Sequence, residues 1–154
     1  TWTRPVAVAS TSAAAAVQAT LLSAVGAELA AGVSVFAGDI VPRKKPAPDI
    51  YLLALDRLRV PAERVVVVED SRNGLLAAAG ADLACVITVN DFTAAEDFSE
   101  AALVVSSLGE PGGDHTVVLA NRSPARPGDW ITLADLAGVL PASDGEHGYG
   151  RQED

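Results

Sequence analysis

Val65-Val66-Val67-Val68-Glu69-Asp70 decides the fold. Four valines without polar alternation read as a strand covered on both faces, which is the environment of a parallel sheet. Outward from it, Val6-Ala7-Val8-Ala9, bounded by Pro5 and Ser10, is a second buried-strand candidate. Ser34-Val35-Phe36-Ala37 is a third, ended by Gly38-Asp39. Ala84 to Val89 is a fourth, and Leu103-Val104-Val105 a weaker fifth. Helical segments lie between them. Thr11 to Val25 is Ala-rich, with Ser10, Thr11 or Ser12 to cap it and Gly26 to stop it. Pro48 to Leu58 places Ile50, Leu53, Ala54 and Leu58 on one face, and Pro48 suits a first turn. Ser71 to Ala79 is a short third helix. Strands alternating with helices predict a Rossmann-like, doubly wound α/β sheet.

Beyond Glu110-Pro111-Gly112-Gly113 the pattern is less regular. Residues 1–113 therefore read as the core. Residues 114–140 read as an extension, with Thr116 to Ala120 an edge strand or hairpin arm and Ile131 to Leu140 a closing helix. Residues 141–154 are polar and mostly acidic, the composition of a disordered tail.

The 154 residues suffice for one domain or most of one, and 49% are apolar, enough for a sizeable core. Alanine supplies 29 of them, which favours close helix packing. The net charge is −9 and no basic run exceeds Arg43-Lys44-Lys45, which argues against nucleic acid or an anionic membrane as partner. A local cationic site can still hold one phosphate. The single cysteine, Cys85, allows no intrachain disulfide and no Cys-based metal site; within Ala84-Cys85-Val86-Ile87 it reads as a buried small hydrophobe. No stretch approaches the roughly 18 to 20 apolar residues of a membrane helix. Thr1-Trp2-Thr3-Arg4-Pro5 enters a strand almost at once, unlike a signal peptide, so the expected compartment is the reducing cytoplasm. The chain begins with Thr and contains no Met, so it is either processed or a piece of something longer.

In open parallel sheets, ligands bind beyond the carboxyl ends of the strands. The residues there are Ser10-Thr11-Ser12, Lys45-Pro46, Glu69-Asp70 and Asn90-Asp91. Ser10, Thr11 and Ser12 suit a helix cap or a phosphate oxygen equally. Lys45 reads as a solvated lysine, or as one aimed by the restriction that Pro46 places on the residue before it. Glu69-Asp70 is the sharpest signal. Two like charges at a partly desolvated strand end oppose each other's ionisation, and cations relieve that cost. Mg²⁺ suits one of them and Lys45 the other. Asn73-Gly74 offers a tight turn, or an amide, at the start of the next helix. Cys85 inside a strand is a poor nucleophile. His115 and His147 read as surface residues, and Trp2 and Trp130 carry no legible role.

Three segments together resemble the haloacid dehalogenase-like hydrolase superfamily. They are Val6-Ala7-Val8-Ala9-Ser10-Thr11-Ser12, Arg43-Lys44-Lys45-Pro46-Ala47-Pro48-Asp49-Ile50-Tyr51 and Val65-Val66-Val67-Val68-Glu69-Asp70-Ser71-Arg72-Asn73-Gly74. With Val89-Asn90-Asp91-Phe92-Thr93 and Leu103 to Gly112, the likeness narrows to the CbbY and β-phosphoglucomutase-like sugar-phosphate phosphatases. It covers about residues 5–112. The resemblance implies a Mg²⁺-dependent phosphoric monoester hydrolase working through an aspartyl-phosphate, with a small phosphorylated sugar as substrate. Ser10 and Thr11 would bind the phosphoryl group, with Lys45 neutralising it as the catalytic lysine. Asp70 would ligate Mg²⁺, and Glu69 would be a metal ligand or orient Lys45. Ser12, Asn73 and Asn90 would line the substrate side.

The likeness is incomplete. The family's opening strand, ending in Asp-x-Asp, is absent, and so is the helical cap that follows it. Those aspartates would be the nucleophile and the general acid/base. The glycine that usually closes the helix after Glu69-Asp70 is displaced, so that end either frays or calls for a left-handed Asp82. The absent strand belongs between the strands of Val6–Ala9 and Val65–Val68. Without it, unsatisfied buried backbone groups cost about 1 to 3 kcal/mol each, unless the two strands pair with each other. The expectation is a chain that is poorly stable alone, inactive alone, and completed by the missing amino-terminal segment of the same enzyme. The alternative is a non-catalytic phosphate- and metal-binding module. A receiver-type phosphoacceptor domain fits less well, because there the acidic pair comes first and Lys-Pro last.

Overall fold

The computed structural model describes residues 4–141. Strands β1 (Val6–Ser10), β2 (Val33–Ala37), β3 (Val66–Glu69), β4 (Ala84–Thr88), β5 (Leu103–Val105) and β6 (Val118–Asn121) alternate with four helices. The helices are α1 (Ala14–Ala30), α2 (Asp49–Leu58), α3 (Arg72–Ala79) and α4 (Leu133–Val139). The α/β alternation is the expected one, and every expected strand is present within a residue or two. The expected tail lies outside the described residues, apart from Pro141.

The strands form two sheets. One is β1-β2, parallel, with Ser10 opposite Ala37. The other runs β3-β4-β5-β6, parallel except for the antiparallel β5-β6 pair. Thr116–Ala120 thus resolves as an edge strand, shifted to Val118–Asn121. β1 and β3 do not pair with each other.

Alternation along the strands builds two cores. Val67, Cys85, Ile87 and Val104 face α2 and α3, packing with Ile50, Tyr51, Ala54, Leu75 and Ala78. Phe36 of β2 joins this cluster and Ala9 of β1 packs against it, so the two sheets share one core. Val86, Leu103 and Val105 face the other way, toward Ala125 and Val139. Coverage fails at one place. Val68 is 43% exposed, so the valine run does not have both faces buried along its length. At Val68 the run predicts a covering element that is not among the described residues.

Local signals explain the helix ends. Ser71 caps α3 by accepting from the Gly74 amide at 3.2 Å. Thr132 and Asp135 form a reciprocal capping box on α4. Asp82 takes the left-handed conformation (φ 57°), the second of the two outcomes that the displaced glycine left open. The α1 start differs from expectation. Its cap is Ala13 without a side-chain hydrogen bond, while Ser10 accepts from the Ser12 amide one turn earlier. Gly26 breaks α1 with φ 77° and ψ 166°, but helical residues resume and run to Ala30, so it is a kink and not a stop. α1 leaves Leu22, Val25 and Leu29 exposed and fully buries Ala30 alone.

Candidate functional site

The site begins where the chain leaves β2. Three basic residues follow in sequence and their fates differ. Arg43 pairs with Asp49 at 2.7 Å and Lys44 with Asp39 at 2.7 Å, both open to solvent. The Lys45 side chain is only 11% exposed, so the reading of it as a solvated surface lysine fails. The Lys45-Pro46 peptide is cis. Its ammonium donates to the Ala9 carbonyl of β1 at 2.9 Å and to Glu69 Oε1 at the end of β3. One lysine therefore spans the two sheets at their carboxyl ends.

Glu69 is equally secluded, at 11% side-chain exposure. Its Oε1 accepts a second hydrogen bond, from the Tyr51 hydroxyl of α2. The Lys45 ammonium also lies 4.9 Å from the centroid of the Tyr51 ring, close enough for a cation–π attraction. Burial first, and then the neighbouring Glu69 charge, raise the Tyr51 hydroxyl above its ordinary pKa. It stays a donor. The other Glu69 oxygen lies against Gly74, where a Cβ would overlap the carboxylate. Gly74 is thus not a turn, as one sequence reading had it. It lies inside α3, and what the position demands is space.

Asp70 follows on the exposed rim, and its carboxylate has no partner among the described residues. The paired acids of the sequence therefore divide their work: one is held by a lysine and a tyrosine, the other is free. No group of three or more His, Cys, Asp or Glu among the described residues could hold a metal ion. Asp70 is a hard oxygen donor of the kind Mg²⁺ takes, but these residues supply only part of a coordination shell.

The remaining candidates separate. Ser10 ends β1, one residue past the carbonyl that Lys45 holds, and its Oγ accepts from Ser12 N at 3.1 Å. Thr11 and Ser12 are exposed beside it, and Asn73 is exposed on α3. Asn90 is occupied by its own loop. Its Oδ1 accepts from Phe92 N at 2.9 Å, and its backbone amide donates to Thr93 Oγ1 at 3.2 Å. Cys85 is buried, and desolvation pushes its thiol up to about 12, as an inert core cysteine requires. His115 is exposed and 3.6 Å from Asp129; Trp130 is half-exposed. His147 and Trp2 lie outside the described residues. Tyr51 is the residue that sequence reasoning passed over. It adjoins the apolar stripe of α2, and its signal is a hydroxyl on the helix that follows Lys45-Pro46.

Hydroxyls, a secluded lysine and an acidic pair thus follow successive strands of one α/β rim. Comparison with known proteins gives the family. The haloacid dehalogenase-like hydrolase family matches residues 3–82, and the chain belongs to that family. Within it, the chain is 47% identical over 106 residues to a CBBY-like protein of Arabidopsis thaliana, covering 69% of this chain and 33% of that one. It is 52% identical over 77 residues to protein CbbY of Cereibacter sphaeroides, covering 50% and 34%. The crystal structure of CbbY from Rhodobacter sphaeroides in complex with phosphate superimposes with a TM-score of 0.68 at 37% identity, covering 86% of this chain and 51% of that one. The complex of the same protein with xylulose-(1,5)bisphosphate gives a TM-score of 0.64 at 42% identity, covering 67% and 46%. The chain thus spans about a third of the curated relatives and about half of the solved chains it matches.

Proposed function

We propose that this chain is the carboxyl-terminal part of a Mg²⁺-dependent sugar-phosphate phosphatase of the CbbY type. The observation that carries this reading is Lys45, held between the end of β1 and Glu69 beside a free Asp70. A secluded cation next to a carboxylate unpaired among the described residues suits a phosphoryl group and a divalent ion better than it suits packing. The phosphate and xylulose bisphosphate bound by CbbY from Rhodobacter sphaeroides supply the substrate class.

In this reading Lys45 is the catalytic lysine. Its ammonium neutralises charge that builds on the phosphoryl oxygens during transfer. Ser10 and Thr11 donate hydroxyl hydrogen bonds to the same oxygens from the end of β1. Glu69 aims Lys45 through their hydrogen bond. Asp70 would hold Mg²⁺, which when bound offsets the negative charge of substrate and acids together. Ser12, Asn73 and Asn90 border the substrate side. The attacking carboxylate, and the acid that protonates the leaving sugar oxygen, come from an Asp-x-Asp strand outside this sequence.

That strand has a place to go. β1 and β3 each have one side without a strand partner among the described residues, and Lys45 joins their ends. A strand added there would pair on both sides and complete one sheet, and a helical cap on the same segment would select the sugar. The chain by itself is then inactive.

The test is hydrolysis of a phosphorylated sugar with Mg²⁺, by the chain alone and together with a segment carrying the Asp-x-Asp strand and cap. Turnover is expected only in the pair. The second reading, a non-catalytic phosphate- and metal-binding module, is favoured by the incomplete acidic set. It predicts phosphate binding in both samples and turnover in neither.

A further inference from the structure

Glu69 is fixed more tightly than a counter-ion needs. Its Oε1 accepts from two donors on different elements, Lys45 and Tyr51. Its Oε2 lies against the one buried glycine of α3, and Ser71 holds that glycine's amide at 3.2 Å. The Thr88 hydroxyl of β4 adds a bond to the Glu69 carbonyl at 3.4 Å. A Glu69 side chain turned away from α2 gives up the Tyr51 bond, and a Cβ at position 74 would overlap the carboxylate in its seat.

We propose that Tyr51 and Gly74 are positioning residues for Lys45. Tyr51 pins Glu69 from α2 and Gly74 leaves it room on α3, so that Glu69 holds the Lys45 ammonium at the junction of β1 and β3. Neither residue touches the phosphoryl group. Gly74 acts through Glu69, as does the Tyr51 hydroxyl, while the Tyr51 ring also faces the Lys45 ammonium directly; the lysine they aim is the one the proposed phosphatase reading uses. The clamp exists in the chain whether or not that reading holds.

The sequence allows a direct measurement, because Lys44 and Lys45 are its only lysines. Lys44 is 52% exposed and serves as an internal reference for the secluded Lys45. Reductive methylation of the full chain together with its strand-bearing amino-terminal segment, with the peptides of this chain mapped by mass, reads the ratio of the two rates. In the wild type Lys45 reacts far more slowly than Lys44. Tyr51→Phe keeps the ring but removes the hydroxyl. It speeds Lys45 roughly tenfold relative to Lys44, the effect of one hydrogen bond to a charged group. Gly74→Ala, which displaces Glu69 without touching Tyr51, does the same. Ile50→Val trims a buried neighbour outside the clamp and leaves the ratio unchanged, which separates positioning from general loosening. Equal rates in the wild type overturn the proposal, because no clamp then exists to release. An unchanged ratio in Tyr51→Phe and Gly74→Ala overturns it as well, as does an Ile50→Val ratio that rises with theirs. Hydrolysis and phosphate binding play no part in this readout, so its failure is distinguishable from failure of the phosphatase reading.

Discussion

Asp70 and Glu69 are adjacent carboxylates with unlike surroundings, and that difference carries the residue-scale account. Glu69 is enclosed between a lysine, a tyrosine and a glycine, whereas Asp70 stands free on the rim. Substitution should separate them. Asp70→Asn removes a charge that has no partner among the described residues, so the unfolding midpoint should move little. In the completed enzyme it should abolish Mg²⁺-dependent turnover, and full activity would remove Asp70 from the site. Gly74→Ala should cost stability. Alanine gains helix propensity of about 1 kcal/mol at best. The buried Glu69 bonds it displaces are worth about 1.5 to 3 kcal/mol each, so the net change is destabilising. A denaturant midpoint at or above that of the wild type would show that Glu69 has another seat.

At the scale of elements, the segment after β4 is tied to α3 by one arginine. Arg72 donates to Glu100 Oε1 at 2.8 Å and to the Asp97 carbonyl at 2.6 Å, while its backbone amide donates to Glu96. The Arg72 guanidinium holds the Glu100 carboxyl at about 2, below its ordinary 4.5. A depressed carboxyl stabilises the fold at pH values above its unfolded pKa, and that contribution is lost as pH falls through the folded value. Here the window runs from about 4.5 down to about 2. Arg72→Ala should return the Glu100 midpoint, followed by carboxyl NMR shifts, to the ordinary range. A midpoint still near 2 would assign the shift to the local backbone instead. On α4, Thr132→Ala removes the side-chain half of the capping box, leaving the backbone amide of residue 132 to donate to Asp135, and should cost about 1 kcal/mol in thermal or denaturant unfolding.

What the sequence made legible at this scale was strand and helix identity, because valine runs, Pro48, Ser71 and the Ile50-Leu53-Ala54-Leu58 face are local signals. The α1 cap was not legible. Ser10, Thr11 and Ser12 all satisfy the cap preference, and the bond from Ser12 N to Ser10 draws that hydroxyl away from the helix. Nor was Val68 legible, since its exposure depends on what covers a sheet face and not on its own neighbours in sequence. The site was legible in its charges and illegible in its supports. Lys45, Glu69 and Asp70 follow from strand polarity, whereas Tyr51 matters only because α2 packs beside the end of β3.

For the whole molecule, the governing fact is a sheet in two parts. One core runs beneath both, from Phe36 through Val67 to Val104, yet β1 and β3 leave backbone groups unpaired by strand among the described residues. Lys45 satisfies one of them, the Ala9 carbonyl. The isolated chain should therefore unfold without a sharp cooperative transition, or aggregate through its open edges. A single cooperative transition from monomeric chain would contradict that. Addition of the strand-bearing segment should raise the midpoint and sharpen the transition.

The most direct measurement of the central claim is Mg²⁺-dependent release of phosphate from xylulose bisphosphate. It should be run on the chain, on the chain with its complementing segment, and on the complemented Lys45→Ala and Asp70→Asn variants. The account predicts turnover in the complemented wild type alone. Turnover by the bare chain, or undiminished turnover in either variant, would contradict it.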